Sequence, residues 1–178
     1  RASRPPLAAG STPSRLRVVV VVILLLGLVE LGGASPAALG EGLETQFWRV
    51  DQGTVRWIGV DLPEAIALRR ELLPGDPRMA TIACSALDER WLGEVDTANP
   101  VLVTAQGLLM YLRRDEVHRL LAMCAARISA GGIVFDAVSP RMRDRSGRAP
   151  AAGGYQPPRW TWAIDNEERR FIGAIPSV

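Results

Sequence analysis

Apolar and polar positions follow two different periods along this chain, and the two periods take turns. From Leu39 onward, short unbroken apolar runs alternate with stretches in which apolar residues return every three or four positions. The unbroken runs are "TVRWIGVD" (54–61), "RMATIACSAL" (78–87), "PVLVTAQGLLMYL" (100–112) and "GGIVFDAV" (131–138). Rich in β-branched and aromatic residues, they predict strands. "LPEAIALRRELLP" (62–74) predicts a helix: Pro63 and Glu64 suit a first turn, Ala65, Leu68 and Leu72 recur at helical spacing, and Pro74 with Gly75 ends it. "RRDEVHRLLAMCAARIS" (113–129) predicts another, with Val117, Leu120, Leu121 and Cys124 on one face. Asp88, opening "DERWLGEVD", is a candidate N-cap. Strand and helix signals thus alternate at least four times, which predicts an α/β fold with a doubly wound, mostly parallel sheet.

The N-terminus follows neither period. "RASRPPLAAGSTPSR" is rich in Pro, Ser and Arg and predicts disorder. Val18–Val29 is apolar and uncharged for 12 residues, until Glu30. That is short of the roughly 20 residues a membrane helix needs. A signal peptide or anchor over 15–31, a buried strand and a non-native extension all remain open for it. The expected organisation is an extension over 1–37 and one domain over 38–178.

Composition narrows the classes. The chain has 178 residues, 48% apolar and 22% charged, with a net charge of +2. This suits one globular domain. The arginines are dispersed, which argues against a nucleic-acid partner. Cys84 and Cys124 lack metal-ligand spacing and read as buried thiols in a reducing, cytoplasmic setting. The single histidine, His118, lies among Asp115, Glu116 and Arg119 and reads as part of a solvated helix face. No metal is expected.

In doubly wound sheets ligands sit outside the carboxyl ends of the strands. Asp61 ends a strand there, and its carboxylate can accept both hydroxyls of a ribose; a plain helix N-cap is the alternative. A glycine turn, Gly40-Glu41-Gly42, precedes it by about 20 residues, the spacing of nucleoside-binding folds. A dinucleotide fingerprint would place a third glycine at position 45, which is Thr, and no phosphate-binding GxxxxGK[ST] loop occurs. Glu41 and Glu44 make the turn acidic, unsuited to a pyrophosphate. A cationic ligand without phosphate suits it, and S-adenosylmethionine meets that description.

"ALGEGLETQFWRV", "GVDLPEAIALRRELLP", "ACSALDERWL", "AQGLLMYL" and "GGIVFDAVSPR", in this order, resemble the leucine carboxyl methyltransferase family. The likeness is greatest to its bacterial branch of polyketide-type O-methyltransferases, which are class I, Rossmann-like and use S-adenosylmethionine. The resemblance spans about Ala38 to Ile172. It implies that Gly40, Glu41, Gly42 and Glu44 lie beside the methionine part of the cofactor and that Asp61 holds the ribose. It further implies that Leu62 and the Ser85-Ala86-Leu87 loop border the adenine and that Gln106 meets the methionine moiety. Tyr111, Trp160 and Trp162 become candidates for the small-molecule acceptor side, Trp48 and Trp57 read as core, and no catalytic base stands out. The family's helical segment before the glycine turn has no counterpart in 1–38, where Ser35 and Pro36 fall in the expected first strand. The final antiparallel strand pair is not reached by Val178. The resemblance therefore implies a cofactor half with an incomplete acceptor half, and little turnover by this chain alone. A remnant that at most binds the cofactor, or an NAD-binding Rossmann protein, are the rival expectations.

Overall fold

The computed structural model describes residues 35–96, 98–128, 130–147 and 158–175. The apolar run 18–29 lies outside them. Five strands form one parallel sheet: β1 (Ser35–Leu39), β2 (Trp57–Asp61), β3 (Met79–Ala83), β4 (Val101–Ala105) and β5 (Gly131–Phe135), in the order β3-β2-β1-β4-β5. Between and after them lie helices α1 (Gln46–Val50), α2 (Pro63–Leu72), α3 (Arg114–Arg127), α4 (Pro140–Arg145) and α5 (Asn166–Ala174). Two 3₁₀ turns, Glu89–Glu94 and Leu109–Tyr111, follow β3 and β4. β1 starts at Ser35, so the domain boundary expected at 37/38 falls inside a strand.

The two-residue period of the strands sorts their side chains between two cores. Ala37 and Leu39 of β1, Ile58 and Val60 of β2, and Val101, Val103 and Ala105 of β4 share one face with Trp91, Leu92, Val117, Leu120 and Trp162. Ala38 and Trp57 point the other way, to Phe47 and Val50 of α1. Trp57 is buried and Trp48 packs on the same cluster, as expected of core residues.

Pro36 sits in the central strand without cost to the ladder. Backbone N–H groups alternate sides along a strand: Ser35 donates toward Pro100 on the β4 side, and Gly40 donates to Val60 on the β2 side. Pro36 has the parity of Gly40, so its missing N–H faces β2. Pairing with β2 begins only at Ala37.

Two expectations for helix faces change. In α2 the buried residues are Ile66 and Arg69, while Leu68 and Leu72 are 45% and 56% exposed. The apolar spacing marked the outer face, because the inner face carries an arginine. In α3 the apolar face is as expected, but His118 is not solvated. It stacks on Phe171 of α5 with ring centroids 3.6 Å apart, and its Nε2 lies 2.9 Å from Glu168 Oε2.

Glu168 is itself buried. It also accepts from Trp162 Nε1 at 3.1 Å and from Arg114 Nε. Burial pushes its carboxyl upward, but the bonds from His118, Trp162 and Arg114 outweigh burial and hold it below the usual range. Glu168 thus fastens α5 and residue 162 to α3. Truncating it would strand three buried or half-buried donors, so Glu168→Ala is expected to lower the unfolding free energy by about 2–4 kcal/mol in urea titrations. The exposed neighbour Glu167→Ala should change it by less than about 0.5 kcal/mol.

Candidate functional site

A parallel sheet opens a crevice where connections from neighbouring strands leave in opposite directions. Here β1 connects toward β2 and β4 toward β5, so the crevice lies at the carboxyl ends of β1 and β4. The residues following the strands form a row along this edge. They are Ser85 to Leu87 after β3, Asp61 and Leu62 at β2, Gly40 to Gly42 after β1, and Gln106 with Gly107 after β4. Strands are about 4.8 Å apart, so the row spans about 15 Å.

Gly40 and Gly42 have φ of +63° and +52°, where L residues are strained. A Cβ on Gly40 would stand 3.0 Å from Leu108 Cδ1. One on Gly42 would meet no atom within 4 Å, so Gly42 faces open space at the crevice. Asp61 reaches across to this turn: its Oδ2 accepts the Gly42 N–H at 2.7 Å and its Oδ1 accepts the Leu62 N–H at 2.7 Å. The N-cap alternative fails on register. Leu62 occupies the N-cap position of α2, where no side chain caps the helix. Leu62 itself is 53% exposed beside Asp61.

Glu41 departs from its expected place. Its backbone belongs to the turn, but its side chain turns inward and is 5% exposed. Oε1 accepts from Trp57 Nε1 at 2.9 Å and from Arg69 at 3.0 Å. The physical reason is space: Gly59, inside β2, leaves room where a Cβ would collide with Glu41 Oε2. Glu41 therefore adds no negative charge at the crevice. Glu44, half exposed, pairs with Arg49 at 3.1 Å on the outer side of the turn. The acidity inferred for the turn is thus largely neutralised, and Asp61 is the carboxylate at the centre of the row.

The other positions are held by backbone ties. Ser85 Oγ accepts the Leu87 N–H at 3.2 Å, and the buried Trp91 indole donates to Ala86 O at 3.0 Å. Asp88 caps the following 3₁₀ turn by accepting from the Arg90 N–H, as its position in the sequence suggested. Gln106 Nε2 is buried without a hydrogen-bond partner. A buried amide donor left unpaired is costly, and among the described residues no acceptor meets this one.

On the acceptor side the three candidates separate. Tyr111 is 44% exposed at the end of the turn after β4. Trp160 is partly buried against Met110, Val138 and Ala163. Its segment is tied to that turn by Thr161, whose N–H donates to Met110 O at 2.8 Å and whose Oγ1 donates to Leu112 O at 2.6 Å. Trp162 must be corrected: it is 2% exposed, in the core, with its indole N–H on Glu168, and cannot line a pocket.

Two residues of the site were not singled out from the sequence. Asp136, just past β5, accepts the Gly107 N–H at 2.8 Å and braces the Gln106 turn as Asp61 braces the glycine turn. An acid closing an apolar run is the same signal in both places. Arg69 donates to the carbonyls of Gly42 and Glu44 at 2.9 and 2.8 Å. Its helical position carried no sign of burial.

No family model matches the chain. The chain is 38% identical over 100 residues to the tetracenomycin polyketide synthesis O-methyltransferase TcmP of Streptomyces glaucescens, covering 56% of this chain and 37% of that protein. It is 31% identical over 151 residues to a putative S-adenosyl-L-methionine-dependent methyltransferase of Streptomyces avermitilis, covering 72% of this chain and 53% of that protein. The chain thus spans about half or less of the length of these relatives. In fold it is similar to the N-methyltransferase NodS of Bradyrhizobium japonicum, solved with S-adenosyl-L-homocysteine. The TM-score is 0.60 at 16% identity, over 89% of this chain and 72% of that one. The fold is that of Rossmann-like methyltransferases. Among the described residues no helix is long and apolar enough to cross a membrane.

Burial raises the Glu41 carboxyl from 4.5 to about 7, against the opposing pull of Arg69 and Trp57. The folded state thus favours the neutral form. This contribution to stability is fully present below the unfolded value and is lost as the pH rises through about 7. The stability of the native chain minus that of Glu41→Gln should therefore fall between pH 5 and pH 8, by on the order of 3 kcal/mol at most. Urea midpoints measured across this range test it, and a flat difference would remove the titration from Glu41.

Proposed function

Taking as premise that this chain is a homologue of S-adenosylmethionine-dependent methyltransferases, we propose that it binds S-adenosylmethionine along the carboxyl edge of its sheet and serves small-molecule O-methylation. One observation carries the reading. The ends of four adjacent strands present, in order, an apolar loop, a carboxylate, a glycine turn facing open space and an unpaired buried amide. That order matches a ligand with an aromatic base, a vicinal diol and an amino-acid end.

Bound there, the cofactor supplies a methyl group already activated by its sulfonium. The chain's own residues do the rest. Asp61 would hold the ribose hydroxyls by accepting their hydrogen bonds. Leu62 and the Ser85–Leu87 loop cover the base and exclude water from it. Gly42 lets the backbone approach closely, and Gln106 Nε2 donates to the amino-acid portion. Tyr111 and Trp160 would border the acceptor and orient it, since alignment is the main demand of a displacement with a good leaving group.

The acceptor belongs to the polyketide-like carboxylates and phenols, a reading supported by the similarity to TcmP. The narrower kinship with leucine carboxyl methyltransferases rests on the sequence motifs. A cytoplasmic location is part of the same reading, supported by two buried cysteines without a disulfide.

Calorimetry of the purified chain with S-adenosylhomocysteine, and with NADH as a control, tests the cofactor. Binding is expected for the first alone, and no heat from the folded chain with S-adenosylhomocysteine overturns the proposal. Asp61→Ala should weaken binding by about 1.5–3 kcal/mol, the loss expected for hydrogen bonds to a charged group. Gly42→Val should abolish it, because a branched side chain resists the positive φ and enters the space at the crevice.

A further inference from the structure

Three features of the α1/α2 face are not required by the sheet. A glycine, Gly59, interrupts the interior of β2, where it packs poorly. An arginine, Arg69, takes an inward position on α2 and is 2% exposed, while Leu68 and Leu72 face outward. A glutamate, Glu41, is turned under its own turn and leaves Oε2 without a partner. Each is unfavourable alone. Together they form one device: Gly59 makes room for Glu41, Glu41 neutralises Arg69, and Arg69 reaches the turn.

What Arg69 does there is specific. One guanidinium nitrogen donates to the carbonyls of both Gly42 and Glu44, and the other holds Glu41 Oε1. The Gly42 residue is thereby gripped at both ends, its N–H by Asp61 and its C=O by Arg69. We propose that Arg69 is a positioning residue for cofactor binding: it fixes the left-handed glycine turn in the one orientation that leaves Gly42 open to the ligand and Asp61 aimed at it. The proposal rests on the cofactor reading above. It adds that when a ribose takes over Asp61, the grip from Arg69 is what keeps the turn in place. Arg69 is 2% exposed and acts through the turn it holds.

The test must separate this from general stabilisation, since Arg69→Met alone removes a hydrogen-bond partner of the buried Glu41 carboxyl. The comparison is therefore made between the native chain and the double variant Glu41→Gln/Arg69→Met, in which neither partner of the buried pair is left alone. Replacing a buried ion pair by neutral groups of similar volume tends to preserve stability. The double variant should melt within a few degrees of the native chain, yet bind S-adenosylhomocysteine roughly tenfold more weakly by calorimetry. Amide hydrogen exchange in the ligand-free chain gives a second readout. Exchange at Gly42, Leu43 and Glu44 should quicken roughly tenfold in the double variant while the amides of β1 stay protected. Equal affinity with unchanged exchange in the native chain and the double variant would overturn the positioning role. If neither the double variant nor the native chain binds S-adenosylhomocysteine, the cofactor reading fails. Exchange alone then decides the grip, and unchanged exchange rejects it.

Discussion

The carboxyl edge of this sheet is organised around a single residue, Gly42, whose N–H and carbonyl are held from opposite sides. A turn with two glycines in the left-handed region has little conformational preference of its own, and ordering it costs more entropy than ordering other residues. The order comes from β2 and α2, which are consecutive in the chain. Asp61 ends the strand and Arg69 lies two turns into the helix. One strand–helix unit thus shapes the turn of the unit before it, and the crevice inherits its geometry from that grip.

The sheet topology supplies the rest. Because all five strands run parallel, every loop that follows a strand emerges on one edge. Side chains far apart in sequence, such as Asp61, Ser85, Gln106 and Asp136, arrive there without long connections. The same edge bonds recur along it: a carboxylate just past a strand accepts an N–H from the glycine of the neighbouring loop, Asp61 with Gly42 and Asp136 with Gly107. Ligand-facing loops are otherwise the least ordered parts of such folds. Here the turns after β1 and β4 are each tied to a carboxylate at the end of a neighbouring strand.

Much of this was legible in the sequence, for identifiable reasons. Strands and helices followed hydrophobic period, and the position of Asp61 followed from its place at the close of an apolar run. The errors lie where a polar side chain behaves as an interior one. Arg69 inverted the face of α2, because a charged residue on a helix normally marks the solvent side. His118 and Trp162 converge on Glu168, the first across 50 residues, a contact that no local pattern encodes. Glu41 faced inward because of Gly59, a residue 18 positions away whose meaning appears only when the strand and the turn are seen together.

Two buried glutamates, one on each face of the sheet, make the underlying physics plain. Glu168 has both oxygens satisfied, by His118 and Trp162 on one and Arg114 on the other. The bonds overcome burial, and its carboxyl is held below the usual range. Glu41 has bonds on Oε1 alone, Oε2 is orphaned, and burial pushes it up to about 7. The difference lies in what opposes burial: at Glu41 desolvation outweighs Arg69 and Trp57, whereas at Glu168 the bonds and charge of His118, with Trp162 and Arg114, outweigh it. It also divides the roles. A fully satisfied carboxylate is a fixed lock, suited to fastening α5 and the segment that carries Trp160. A half-satisfied one is stable only as long as Arg69 stays in place. Arg69 stays in place because the turn's carbonyls hold its other nitrogen. The glycine turn and the buried pair therefore stabilise each other, and neither can be altered without disturbing the crevice.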